Sequence, residues 1–372
     1  MAVRAAVGLA VAAAVRACAE ETKAWAFFGP EETRTSLSLI PANPEPLNNA
    51  TRTTYFCVFY ELPADRDYHI VGWEAVVPPE TESTLHHSIA LTCATRDGND
   101  KGGARIGGRF VTDGMRVPCE PMPPSACDTM FGGWTPGGWG NGPNGAFRTP
   151  HDAGFRVGPE RRFAVVQYHH DNAALTPGLT SQAGFRVMLT PDLRPEDVGE
   201  VQLGPIAIGF AVPPERRVPD GLVDVVHTCT WNAAPTSAWA FRSHAHSHCV
   251  RQYSLVRRAD GALLYLGDTN PFEYHSQPLV PLDPPTPIGV GDTLETHCLY
   301  KPDADRWVAG GLSTSDEMCI RHVLLAPAVR RPSWQGPFCV GSVRQSVGWS
   351  AGARADLAAA AAEYGARVEH GL

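Results

Sequence analysis

Histidine is the side chain that most often binds transition metals in proteins. This chain carries 14, and the informative ones are clustered as His86-His87, His169-His170 and His244-Ala245-His246-Ser247-His248. All three clusters fall on strand-like segments, where residues i and i+2 share a face. His244 and His246 can therefore chelate one ion together; His248 lies on that face too, so periodicity leaves the choice of pair open. The same rule sets Gln167 beside His169 and sends His170 to the opposite side, so a regular strand offers only one of His169 and His170 as a ligand. His86 and His87 are adjacent and can meet at one ion only at a strand end or a local twist. Further on, Met318 stands directly before Cys319. A thioether is a poor ligand for zinc, magnesium or calcium but suits copper, above all Cu(I). A His-His-Met set would point to redox chemistry, whereas a methionine that only fills core space would not. Arg242 lies two residues before His244 on the same face. It can clamp a carboxylate bidentately and hold a neighbouring carbon over a metal, or it can serve in a surface salt bridge.

The elements that must position these groups are strands. Only 19% of the chain is charged while it holds 36 Gly and 33 Pro, a balance that favours short strands and many turns, so the expected class is all-β. Strands are expected at Thr54–Glu61, Phe163–His169, Val223–Thr230 and Ala262–Leu266, where apolar or alternating runs end at Pro or Gly. The stretch Pro118–Pro150, rich in Pro, Gly and Trp without periodicity, reads as a long ordered loop. A length of 372 residues suggests two domains, with the junction between Leu189 and Pro214. The Ala-rich segment Ala351–Arg367 reads as a short helix or frayed end.

The first 19 residues, with Arg4, an apolar stretch and small residues at Ala17 and Ala19, resemble a signal peptide cleaved before Glu20. Export to an oxidising compartment permits disulfides. Nine cysteines follow Cys18, four before residue 130 and five after 225, so bridges are expected within each half, with one thiol left over. Asn49-Ala50-Thr51 is a glycosylation sequon. The net charge of -8 with no Lys/Arg run argues against nucleic acid or an anionic membrane surface, and no later segment reads as a membrane span.

Four segments, taken in order, resemble the signature of the copper type II, ascorbate-dependent monooxygenases: Leu85-His86-His87, Val166-Gln167-Tyr168-His169, Phe241-Arg242-Ser243-His244-Ala245-His246 and Ser315-Asp316-Glu317-Met318-Cys319. The similarity runs from about Thr53 to about Cys339, with further matches at Tyr55-Phe56-Cys57, Gly154-Phe155-Arg156-Val157-Gly158 and Gly291-Asp292. The resemblance implies two jelly-roll-like antiparallel β-sandwich domains facing each other across a wet cleft. Residues 20–196 would form the electron-transfer domain, 197–345 the oxygen and substrate domain, and 346–372 a tail. By the same resemblance His86, His87 and His169 would hold one copper and His244, His246 and Met318 a second, catalytic one. It also implies the bridges Cys57–Cys119, Cys93–Cys127, Cys229–Cys339 and Cys298–Cys319, leaving Cys249 as the free thiol.

The implied reaction is hydroxylation of a C–H bond with O2, two copper ions per chain and ascorbate as reductant, in a secreted protein or the lumen of the secretory pathway. Three imidazoles suit an electron store, and the thioether set favours the Cu(I) state that meets oxygen. In peptidylglycine hydroxylation, the activity most like this one, an arginine matching Arg242 binds the substrate carboxylate and a glutamine matching Gln167 lies near it. Ile320 and His322 depart from that pattern, and the Arg194–Pro214 region looks more like the dopamine β-monooxygenase branch, so hydroxylation of an amine or other small molecule is the alternative. A zinc hydrolase would require a general-base carboxylate near its ligands, as in H-E-x-x-H, and no role for Met318; no such motif occurs in the sequence. A copper-binding module without turnover is the remaining reading.

Overall fold

The structure is a computed structural model that describes residues 35–95, 103–119, 124, 126–135, 145–204, 209–218, 221–311, 313, 315–329 and 338–370. The expected signal peptide lies outside the described residues. The chain is all-β in character, as its composition implies, with each half built from two principal sheets.

In the first half a five-stranded sheet runs in the order Arg116–Val117, Thr53–Glu61, Phe163–Asp171, Leu85–Cys93, Cys127–Trp134. A second sheet is built on Thr35–Leu39, Gly184–Thr190, Tyr68–Val76 and Ala153–Val157. Phe59, Val165, Trp73 and Phe185 are among the buried residues of the core they share. The Trp73 indole N–H donates to the Phe131 carbonyl at 2.6 Å, which satisfies a buried donor.

The Cys127–Trp134 strand corrects the expectation of a loop across Pro118–Pro150. Its interior Gly132 reads as turn chemistry, yet a Cβ there would sit 3.3 Å from the Trp73 ring. The glycine is a close-approach position within a strand.

Past Asp197 the chain changes sheets. Glu196–Asp197 pairs with Ala153–Gly154, whereas Gly199–Leu203 pairs with Ile320–Ala326. The second half has a four-stranded sheet in the order Gly199–Leu203, Ile320–Ala326, Thr236–His244, Val280–Ile288. Its Val280–Ile288 strand carries Pro281, Pro284, Pro285 and Pro287, which an edge position tolerates because one side needs no N–H donors. The other sheet runs Leu263–Thr269, Cys249–Arg257, Thr293–Tyr300, Val223–Thr230, Ser342–Val347.

The Ala-rich tail is a 20-residue helix, Ala351–His370. Leu357 and Ala360 bury against Tyr253 and Leu255, so this segment is docked on the second sheet. Trp239, Ala240, Leu279 and Leu324 of the second half join the apolar core of the first. The two halves therefore meet through buried hydrophobic contact, and the histidine clusters lie along the same junction.

Candidate metal centres

His86 and His87 begin the Leu85–Cys93 strand. Across the ladder His87 faces His169 while Leu85 faces His170, so His86 is an extra, bulged residue. A bulge re-aims a side chain, which resolves the difficulty of two adjacent histidines sharing one ion. His86 Nδ1 lies 3.2 Å from His87 Nδ1, and His169 Nδ1 lies 3.4 Å from His87 Nδ1. One ligand nitrogen from each of the three falls within 4.8 Å of the others. Nitrogens about 2 Å from one ion in roughly tetrahedral directions stand about 3.3 Å apart, so this spacing fits a metal.

Tyr55 stacks on His169 at 4.1 Å between ring centroids and fixes its plane. Burial lowers His86 to about 4 and His169 to about 2, and holds His87 well below the ordinary imidazole value. Neutral imidazole is the ligand form.

His244 closes the Thr236–His244 strand, and His246 lies in the turn beyond it. The shared strand face expected for these residues thus extends only to Arg242 and His244. The turn brings the His244 and His246 rings to 5.8 Å, nearly perpendicular. His244 Nδ1 donates to Gln277 Oε1 at 2.9 Å and His246 Nδ1 to the Asp316 carbonyl at 2.8 Å. Each bond places the proton on Nδ1 and leaves the Nε2 lone pair for an ion.

Met318 is buried beside three ties that set its backbone. Its carbonyl accepts the Tyr300 hydroxyl at 2.6 Å, Cys319 is bridged to Cys298, and Glu317 is buried. The Glu317 carboxylate accepts the backbone N–H of His246 at 3.0 Å and of His248 at 2.6 Å, stitching the histidine turn to the methionine segment. Two imidazoles and one thioether, if they met at one ion, would be a soft donor set that suits copper.

The two centres adjoin. His86 and His246 ring centroids are 6.3 Å apart, so in place of an open cleft the rims of the two halves touch here.

The other candidates lie as follows. His170 is buried on the far side of its strand, its Nδ1 3.2 Å from the Thr84 hydroxyl. His248 turns away to Glu317, and Cys249 is a free, buried thiol that burial pushes well above its ordinary pKa. Gln167 is buried and its amide donates to the Cys119 carbonyl at 3.1 Å. Arg242 is 1% exposed, with Nε donating to the Gln277 carbonyl at 2.8 Å and a terminal nitrogen to Gln277 Oε1 at 3.3 Å. The structure contains the bridges Cys57–Cys119, Cys93–Cys127, Cys229–Cys339 and Cys298–Cys319.

Sequence reasoning missed Gln277, Tyr274 and Glu200. Gln277 contacts both Arg242 and His244, and Tyr274 reaches His86. Glu200, which burial pushes up to about 8, pairs with His322 at 2.6 Å. Gln277 and Tyr274 sit in a Pro-flanked stretch without periodicity, and no local signal marks them.

Comparison with known proteins bears directly on this geometry. Residues 42–177 match the model described as the copper type II ascorbate-dependent monooxygenase N-terminal domain, and residues 201–351 match its C-terminal domain. The chain is 28% identical over 309 residues to tyramine beta-hydroxylase of Caenorhabditis briggsae, covering 80% of this chain and 49% of that protein. It is 26% identical to DBH-like monooxygenase protein 1 of Gallus gallus, covering 74% and 45%. With dopamine beta-hydroxylase of Rattus norvegicus the identity is 28%, covering 76% and 45%. The chain spans about half the length of these relatives. Two domain matches in the family's order, laid over a chain whose imidazoles and methionine stand as described, lead to one conclusion: this chain belongs to the copper type II ascorbate-dependent monooxygenases.

Proposed function

We propose that this chain hydroxylates an unactivated C–H bond of a small organic molecule. One oxygen atom of O2 would enter the substrate and the other leave as water, with two electrons from ascorbate and two protons completing the balance. His86, His87 and His169 would hold one copper as the electron store, and His244, His246 and Met318 would hold the second, where oxygen meets substrate. The sheet pairs on either side of Asp197–Gly199 would be the two jelly-roll-like domains, electron-transfer first and oxygen-binding second. The observation that carries the reading is the donor geometry: three Nδ1 atoms converge at one centre, while at the other two Nδ1 protons are engaged, the Nε2 atoms are left available, and Glu317 ties the histidine turn to the segment that carries Met318.

Bound copper would supply the one-electron and O2 chemistry that no protein side chain provides. The chain's own contribution is to orient the imidazoles through Gln277, Asp316 and Tyr55, and to hold Met318 through Tyr300 and the Cys298–Cys319 bridge.

Two substrate classes compete. A peptide ending in glycine would need Arg242 for its carboxylate, with Gln167 close by. The Arg242 guanidinium is already bonded to Gln277, and Ile320 and His322 stand where carboxylate-binding partners were expected, His322 being paired with Glu200. These contacts favour an amine or another small molecule without a carboxylate, in line with the names of the tyramine and dopamine hydroxylases to which the chain is similar. Four disulfides support a secreted or lumenal site of action. No helix among the described residues is long and apolar enough to cross a membrane.

The test is copper analysis of the purified protein beside Met318→Ala, with ascorbate-dependent O2 uptake recorded on phenethylamines and on glycine-extended peptides. Two coppers per chain, uptake with amines, and a variant with a weakened second centre and lost uptake are expected. Zinc in place of copper, or a variant indistinguishable from wild type, would sink the mechanism. Tight copper binding without uptake on any substrate would select the non-catalytic module, and uptake with peptides alone would restore the peptidylglycine reading.

A further inference from the structure

We propose that Tyr274, supplied by the second half of the chain, positions His86 of the first centre, so that copper binding there depends on contact between the two halves. The inference rests on the reading of His86 as a copper ligand. Tyr274 lies between the Leu263–Thr269 and Val280–Ile288 strands, in a tight turn closed by Ser276 N–H donating to the Glu273 carbonyl at 2.9 Å. Buried Phe272 anchors the turn in the second half's own core, and its N–H donates to the Val250 carbonyl at 2.9 Å. From this base the Tyr274 hydroxyl reaches His86 Nε2 at 2.6 Å, while its ring stands 6.1 Å from the His246 ring.

The two nitrogens of His86 have different surroundings. Nδ1 faces His87 Nδ1 at 3.2 Å, in the cluster where an ion fits, and Nε2 faces the tyrosine hydroxyl. When a histidine binds metal through one nitrogen, the other carries the proton and donates it to a neighbouring acceptor, which fixes the tautomer and the ring plane. Tyr274 Oη is that acceptor. Because His86 is the bulged residue of its strand, its ring direction is not set by regular pairing, and a tether matters more here than at His87 or His169.

The tether is itself coupled to the second centre. Gln277 is buried; its amide N–H donates to the Tyr274 carbonyl at 2.8 Å, and its Oε1 accepts from His244 Nδ1 at 2.9 Å. One short segment thus holds a histidine of each centre, His86 through Tyr274 and His244 through Gln277. Separation of the halves would break the first contact and keep the second, since Gln277 and His244 belong to the same half. The first centre alone would lose an orienting partner.

Tyr274→Phe keeps the ring and removes the oxygen. In the full chain, titration of the metal-free protein with Cu(I) against a competing chelator should show the first-centre affinity falling about 10- to 100-fold, with the second centre unchanged. The Cu(II) spin-resonance signal of the first centre should shift. His275→Ala, at the exposed neighbouring position, should alter neither. Unchanged affinity and spectrum in Tyr274→Phe, or a loss confined to the second centre, would overturn the proposal while leaving the copper reading intact. Copper uptake by His86→Ala equal to that of the wild-type chain would overturn both.

Discussion

Removing the Cys298–Cys319 bridge should cost less global stability than removing Cys229–Cys339, yet do more harm to the second centre. The bridges close loops of 21 and 110 residues. In the chain-entropy model, opening them relaxes the unfolded state by about 3.3 and about 4.8 kcal/mol, a difference of about 1.5 kcal/mol. All four cysteines are buried, so replacement by alanine in pairs creates comparable small voids and this contribution largely cancels in the comparison. The shorter bridge also carries a local duty. It fixes the residue after Met318, and without it the methionine segment relies on non-covalent ties such as the Tyr300 hydrogen bond, the Glu317 contacts and the His246–Asp316 bond. The assay is denaturant unfolding of the two double variants beside wild type, with Cu(I) affinity of each centre measured on the same preparations. Cys229→Ala/Cys339→Ala should unfold at the lower denaturant concentration and keep both centres. Cys298→Ala/Cys319→Ala should be the more stable of the two variants and bind copper weakly at the second centre. A reversed order of stability would refute the loop-closure reasoning, and an intact second centre in the second variant would show that the bridge does not place Met318.

Two further outcomes follow from local geometry. Gly204 has φ +111°, and a Cβ there would lie 1.9 Å from the Cys319 carbonyl oxygen; Gly204→Ala should cost at least about 2 kcal/mol in thermal or denaturant unfolding and weaken the second centre while sparing the first. His297 is buried between Asp224 at 3.0 Å and Glu295 at 2.7 Å. Burial alone would lower its pKa, but these two bonds outweigh it and hold the value above that of free imidazole. The His297 bond in turn holds Glu295 below the usual carboxylate range against the opposing effect of burial. A raised histidine gives stability that is complete below about pH 6.5 and lost as pH rises through the folded value; a lowered glutamate gives stability present above about pH 4.5 and lost on acidification. His297→Gln, which leaves two carboxylates without their shared partner, should therefore cost about 3–5 kcal/mol near pH 5.5. The gap to wild type in calorimetric melting should narrow toward pH 9, and a gap that widens with pH would contradict the charge assignment.

Much of the site was legible because ligand chemistry is a property of residue type and order. Four segments carrying six candidate donors resembled one family, and both of its domain models match the chain; copper came with that resemblance, because Met318 alone could equally fill core space. Val223–Thr230 is a strand with the bounds its pattern implies, and Phe163–His169 extends only to Asp171. Cys127–Trp134 was not legible, because the glycine that lets Trp73 pack against it looks locally like a turn.

What the amino-acid order determined by itself was the inventory: an all-β chain, histidine clusters on strand-like segments, a methionine beside a cysteine, and an odd thiol. Tertiary structure decided how these groups meet. The bulge that turns His86 toward His87 arises only when that strand is paired with the one bearing His169. His246 lies in a turn that Glu317, 71 residues away, holds in place. Tyr274 touches His86 across 188 residues. Local pattern reports which face a side chain takes within one element; contacts between elements depend on the packing of sheets, whose register and approach are written in no short window of sequence.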